Sequence, residues 1–309
     1  MNDDAMIQWL LQGDVAIQYQ THRDLLGEIK PDLQRRIEKE GWGQAFLSRR
    51  NTNGHWGRGY YQPKWTSTHY TLLDLKNLAI SPDQPLIRQT IEMLLMEEKS
   101  LDGGIDPRHG KDPSDACLNG MFLNYASYFR ADEDQLKTIV DFILLQQLPD
   151  GGFNCHYNCK GAVHSSLHTT LSVAEGILEY RRNGYSYRVA ELYKAELECR
   201  EFMLQHRLYL SDKTGAVIKQ AFTRLSYPGW WHYDILKALD YFFQTDEPYE
   251  NRMENALHLI LKKRKKDGFW YLQARHPGQI HFEMEKNGGP SRWNTLRAMR
   301  VLNKFQISI

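Results

Sequence analysis

Apolar residues recur along this chain at helical spacing, in segments broken by one kind of turn. Ile91, Leu94 and Leu95 mark one such stripe, over about residues 84–98. Strand-like alternation is nearly absent. The turns read Asn53-Gly54-His55-Trp56, Asp102-Gly103-Gly104-Ile105, Asp150-Gly151-Gly152-Phe153 and Asp267-Gly268-Phe269-Trp270, with a degraded copy at Asp212-Lys213-Thr214-Gly215. They return roughly every 50–60 residues, and each divides an amphipathic helix from a second helix rich in Thr, His, Tyr and Leu. One helix pair cannot bury its own apolar face, so a fixed period of pairs predicts a stacked or closed array.

The predicted elements follow this period. Residues 5–28 read as two short helices broken at Gly13-Asp14. Residues 31–48 read as one helix with Leu33, Ile37 and Phe46 inward. The segment from Trp65 to Leu73 opens the next helix. Then come the pairs 84–98 with 114–129, 134–147 with 164–181, 186–206 with 230–243, and 249–264 with 290–305. No Pro/Ser linker divides the chain, so residues 1–309 are expected to form one domain, with 1–48 packing on repeats that fill 49–309. Aligned without gaps, the second helices place His69, Leu118, His168, His232 and Trp293 in one column. In a closed ring that column converges on one mouth, which predicts a central cavity lined by aromatic and imidazole groups. Trp65, Tyr70, Trp231 and Tyr233 lie beside it. The bland alternative is that these residues cap helices and stack on the turns.

Bulk properties narrow the class. The net charge is +1, so no global field favours nucleic acid. Lys262–Lys266 reads as a solvated basic face. Mean hydropathy is −0.60, and no segment approaches the roughly 18 apolar residues of a membrane span. The start, Met1-Asn2-Asp3-Asp4, has no signal-peptide character, and a cytoplasmic setting is expected. Four cysteines in a chain this long do not make a disulfide framework; free thiols or metal-bound thiolates are expected instead. Cys199 is expected in the core.

The Asp-Gly-Gly-Phe/Trp turns between helix pairs resemble the repeats of the squalene–hopene cyclase and protein prenyltransferase β-subunit superfamily, over about residues 40–305. More narrowly, the chain resembles small stand-alone bacterial squalene-cyclase-like proteins. The stretches Pro63-Lys64-Trp65-Thr66-Ser67-Thr68, Ser166-Leu167-His168-Thr169-Thr170, His281-Phe282-Glu283-Met284-Glu285 and Pro290-Ser291-Arg292-Trp293-Asn294-Thr295-Leu296 carry the likeness. It implies an all-α fold, an α/α toroid of about five to six helical hairpins. The Asp-x-Asp-Asp motif of class II triterpene cyclases and the Asp-Asp-x-x-Asp motif of class I synthases are both missing, which argues against proton-initiated polycyclisation. Asp132-Glu133-Asp134 falls in a predicted surface turn.

Prenyltransferase β subunits bind zinc through Asp-x-Cys at one inner helix and His at a later one. By that resemblance Asp115, Cys117 and His168 are candidate zinc ligands. Cys155 is a competing third ligand, as in lanthionine-synthase cyclases. Asp115 is placed to cap its helix, and a helix N-terminus lowers a thiol pKa. Cys155 and Cys159 have finger-like spacing without a matching second half. Further candidates are Asp234 as a general acid, and Glu283 and Glu285 near Arg292 and Asn294 as an acid/base pair, a substrate clamp or merely an ion-pair network. Trp65, Trp230, Trp231 and Trp293 read as packing anchors or as a cation-stabilising ring.

Three functions therefore stand side by side. The first is a zinc-dependent, prenyltransferase-like or terpene-cyclase-like enzyme acting on an isoprenoid or other apolar substrate. The second is a metal-free lipid or terpenoid binder. The third is a toroid glycosidase or lyase using His232, Tyr233 and Glu283. A separate α subunit is not expected; an incompletely closed ring would leave an edge for a homodimer.

Overall fold

One backbone conformation recurs at the turns. Gly54, Gly103, Gly151 and Gly268 have φ of +89°, +89°, +89° and +93°, a region glycine enters freely and side chains disfavour. Two residues further on, the backbone N–H donates to a side-chain oxygen at the head of the next helix. Trp56 reaches Thr68 at 3.0 Å, Ile105 reaches Asn119 at 2.7 Å, Phe153 reaches Thr170 at 3.0 Å and Trp270 reaches Thr295 at 3.2 Å. Trp56 and Trp270 are fully buried, and their indole N–H groups reach back ten residues to the carbonyls of Phe46 and Ile260, both at 2.7 Å. Each turn that ends in Trp thus ties the helix before it to the helix after it.

These bonds correct the gap-free alignment. Equivalent positions are Thr68, Asn119, Thr170 and Thr295, so the residues two places earlier, Thr66, Cys117, His168 and Trp293, share a column. His69 and Leu118 do not belong with His168. Sequence letters alone misled the alignment because Thr and Asn serve the same acceptor role.

The computed structural model describes residues 3–108, 113–155 and 160–307. Among them the chain is all-helical, with isolated β-bridges but no strand. The helices are α1 (Asp3–Leu11), α2 (Val15–Leu25), α3 (Pro31–Arg36), α4 (Gly41–Leu47), α5 (Thr68–Asn77), α6 (Pro85–Glu97), α7 (Ala116–Tyr128), α8 (Glu133–Leu145), α9 (Leu167–Arg182), α10 (Val189–Gln205), α11 (Ile235–Gln244), α12 (Glu254–Lys262) and α13 (Arg292–Lys304). None of them is long and apolar enough to cross a membrane.

The second helices of successive pairs touch one another: α5 with α7, α7 with α9, α9 with α11, α11 with α13, and α13 with α2. Helix α4 contacts both α2 and α5. The first helices pack behind them, α8 on α7, α10 on α8 and α9, and α12 on α11. The closest approach is α7 on α9. A Cβ on Gly176 would stand 2.2 Å from the Gly120 carbonyl oxygen, and one on Gly120 would stand 2.7 Å from that of Ser172.

Two expected helices differ. Residues 31–48 split into α3 and α4, because Glu40 is extended and Gly41 takes φ +64° against Asp14. Asp14 caps α2 through Ala16 N–H (2.9 Å) and also accepts the Trp42 N–H (2.8 Å), so the break is bonded in place. The helix expected from 230 begins at Ile235, after a loop in which the Tyr227–Pro228 peptide is cis and Trp230 has φ +46°.

Gly176→Ala is expected to destabilise the protein by about 1–3 kcal/mol through overpacking against α7, read as a lower denaturant midpoint. An unchanged midpoint would mean that the two helices do not meet at these glycines.

Candidate functional site

The main cavity, of about 550 Å³, is lined mainly by the C-terminal halves of α2, α5, α7 and α9, with α11 and α13. Its wall is charged. Lys76 pairs with Glu179 at 3.0 Å and Lys237 with Glu175 at 3.2 Å. Arg300 spans Asp24 and Asp240, both at 2.6 Å, and Arg297 adds a 3.2 Å contact to Asp240. Burial alone would raise the Asp240 carboxyl, but Arg300 and Arg297 hold it below its ordinary value. Asn77, Asn124 and Gln244 add neutral polar groups. Tyr227, Trp230 and Trp293 contribute aromatic surface, with Tyr227 and Trp293 stacked at 4.5 Å.

The expected mouth at the N-terminal ends of these helices is filled instead. Trp65 stacks on Trp230 at 4.1 Å, Trp231 on His232 at 3.8 Å, and His232 on His276 at 3.5 Å. The indole of Trp65 is bonded to the Pro277 carbonyl at 2.7 Å. Burial lowers the His232 pKa to about 3 and the His168 pKa to about 4, with neighbouring cations helping, so the cluster is neutral. This plug took residues read from sequence as a cavity lining and made them packing.

A small slot of about 40 Å³ lies between the plug and the loop before α13, space for a water or two. Tyr227 and Trp230 line both the slot and the main cavity. Asp74, on α5, borders the slot. Its Oδ2 accepts the Trp230 indole N–H at 3.1 Å, its Oδ1 has no partner, and burial pushes its pKa up to about 8. Sequence reading missed Asp74. The signal was present: one acid among Leu72, Leu73 and Leu75 on an otherwise buried helix face.

The other expected site residues scatter. Asp234 lines the main cavity as the N-cap of α11, accepting from Lys237 N–H (2.9 Å) and the Ser226 hydroxyl (3.0 Å). Glu283 and Glu285 line the slot instead. Glu283 pairs with Arg275 at 2.5 Å. Glu285 accepts from the Ser291 hydroxyl and the N–H of Arg292 (2.6 Å) at the head of α13, and burial raises its pKa. Arg292 turns outward over Trp9, 4.3 Å from its ring, and Asn294 donates to the Tyr271 carbonyl. His69 Nδ1 sits 3.1 Å from the hydroxyls of both Tyr60 and Tyr125. Tyr70 bonds Tyr61 at 2.9 Å, and the Tyr233 hydroxyl donates to the Leu208 carbonyl.

Of the candidate zinc ligands, Cys117 and Cys155 come together, Cα atoms 6.0 Å apart. His168 does not join them. Its ring stands among Phe222, Trp231, His232 and Tyr233, and its Nδ1 accepts the Tyr233 N–H at 2.9 Å. That bond leaves the neutral ring's proton on Nε2, so neither nitrogen offers a free lone pair. Asp115 lies 3.9 Å from Arg108 and makes no cap bond. Among the described residues no three His, Cys, Asp or Glu side chains gather as a ligand set. As placed, Cys117 and Cys155 stand together and His168 stands apart from them. Cys159 lies outside the described residues. Cys199 is buried, as expected.

No protein-family model matches the chain, and a search of curated proteins finds no match.

The neutral Asp74 generates a pH prediction. A carboxyl whose folded pKa is raised binds its proton more tightly folded than unfolded. Its contribution is full below pH about 4 and is lost as pH rises to about 8. Asp74→Asn should therefore gain on the wild type by about 1 kcal/mol per pH unit across that window. Denaturant midpoints at pH 5 and pH 8 check this; parallel profiles for the two proteins would refute it.

Proposed function

We propose that the helix pairs form an α/α toroid and that its main cavity binds a small, hydroxyl-rich ligand of the saccharide type. The order of contacts among α2, α4, α5, α7, α9, α11 and α13 supports the closed arrangement. The observation that carries the ligand reading is the cavity lining: paired charges and amides on the wall, aromatic faces at Tyr227, Trp230 and Trp293. Sugars present both kinds of surface, hydroxyls at the ring edge and apolar C–H groups on the ring face. A volume of about 550 Å³ lies in the range of ordinary small-molecule sites. Asp24, Glu175, Glu179, Asp234 and Asp240 are each already engaged by a cation or a helix cap, which favours binding over acid–base catalysis.

The isoprenoid reading draws its support from the turn motifs and the aromatic plug. A hydrocarbon chain in the main cavity would strip water from charged groups without replacing their hydrogen bonds, an unfavourable exchange. The slot is far smaller than a prenyl chain.

Calorimetric titration with mono- and disaccharides, and in parallel with farnesol, tests the proposal. A saturable saccharide heat is expected, with affinity weakened about 5- to 30-fold by Asn77→Ala or Gln244→Ala, equivalent to about 1–2 kcal/mol for a lost hydrogen bond. Binding of farnesol with every saccharide inert would overturn it.

A further inference from the structure

Cys117 and Cys155 are 38 residues apart in sequence, yet the fold brings their Cα atoms to 6.0 Å, a span that suits a disulfide. Cys117 lies in the first turn of α7. Cys155 follows the Asp150 turn on the way to α9. The sulfur of Cys155 accepts the backbone N–H of Cys117 at 3.2 Å and the hydroxyl of Thr169 at 3.4 Å. The Cys155 N–H in turn donates to Thr169 Oγ1 at 3.3 Å. Two helix heads therefore meet at this sulfur. Cys117 and Cys155 are both half-buried, within reach of a small reagent. Cys199 is the opposite case: fully buried, with its thiol pKa pushed up by burial.

We propose that Cys117 and Cys155 form a reversible thiol–disulfide couple, closed by a small-molecule disulfide such as oxidised glutathione and reopened by thiols. The Cys155 thiolate attacks one sulfur of the glutathione disulfide. That S–S bond breaks, and one glutathione leaves as its thiolate. The Cys117 thiolate then attacks the Cys155 sulfur of the mixed disulfide and expels the second glutathione. Two electrons pass from the cysteine pair to glutathione, which is reduced to two thiols and takes up the two protons the cysteines release. The commitment of His168 to the Tyr233 N–H separates this couple from a zinc site. Closing the bridge links the start of α7 to the segment entering α9, the two helices in closest contact, and restricts the unfolded chain.

Full-length protein, prepared without chelator, is equilibrated in reduced and in oxidised glutathione. Alkylation with intact-mass analysis, peptide mapping, thermal unfolding and elemental analysis then read the outcome. In oxidised buffer the protein should lose two alkylatable thiols, yield a peptide cross-linked through Cys117 and Cys155, and melt higher by about 5 °C or more. Cys117→Ser and Cys155→Ser should abolish the cross-link and the shift, and Cys199→Ser should leave both intact. Three results would overturn the proposal: both thiols remaining alkylatable in oxidised buffer, Cys155 bridging to Cys159, or about one zinc per chain that both serine variants lose.

Discussion

One hydrogen bond sets the register of the whole array: from the backbone N–H just past each glycine turn to a Thr or Asn oxygen at the head of the next helix. That N–H is buried, and leaving it unpaired would cost about 1–3 kcal/mol. Thr68, Asn119, Thr170 and Thr295 therefore fix where each helix starts and how it is rotated. The glycines allow the chain to reverse within reach of that acceptor. Where the turn ends in Trp, the indole also holds the preceding helix, so one residue positions both members of a pair. With four helices launched in the same phase, the same stripe of each faces the same way. Glu175, Glu179 and Arg182 on α9, and Trp293, Arg297, Arg300 and Lys304 on α13, converge on one cavity for this reason.

The charges in that cavity follow a second constraint. A buried or half-buried ion is tolerated when it is paired, and these pairs run between helices. Lys76–Glu179 joins α5 to α9, Lys237–Glu175 joins α11 to α9, and Arg300 joins α13 to α11 and α2. Their net contribution to stability is small by comparison with the cost of breaking one, about 3–5 kcal/mol for a buried pair. Their geometric effect is larger. Each demands a partner at a set distance, so the walls are held apart at defined positions and the interior stays open instead of collapsing on apolar side chains.

How much of this was legible in the sequence follows from which interactions are local. The turn motifs, the helix pairs and the break at Gly13-Asp14 rest on neighbouring residues and were readable. The split of the helix expected over 31–48 was not, because it depends on Asp14 meeting Gly41 and Trp42 across the fold. The site was misread for a related reason. Trp65, Trp231 and His232 were conspicuous, but the loop carrying Trp230 and His232 and the loop carrying His276 pack with Trp65 as a plug, while Trp293 lines the cavity. Asp234 and Trp293 were singled out from the sequence and line the cavity; the other polar residues of its wall were visible only as stripes at positions i, i+4 and i+7 on helices such as α9. Such a stripe reads equally as a solvated face until the packing partner is known. Cys117 and Cys155 were singled out correctly as neighbours; the orientation of His168, set by a backbone N–H in a distant loop, could not be read.

The floor of the cavity shows how the two halves of the molecule are coupled. Trp230 takes a left-handed backbone conformation, φ +46°, which costs a non-glycine residue on the order of 1–3 kcal/mol and persists only when its surroundings enforce it. Three contacts do so: the stack on Trp65, the indole bond to Asp74 and the Lys237 ammonium on its carbonyl at 2.8 Å. Asp74 can serve there because it is neutral; a carboxylate at the same place would put an unpaired charge beneath an aromatic surface. The result is a gradient, from charged and amide groups on the wall to uncharged aromatic faces at Trp230, Tyr227 and Trp293. Such a gradient would orient a ligand with one apolar face and a polar edge before any single hydrogen bond selected it.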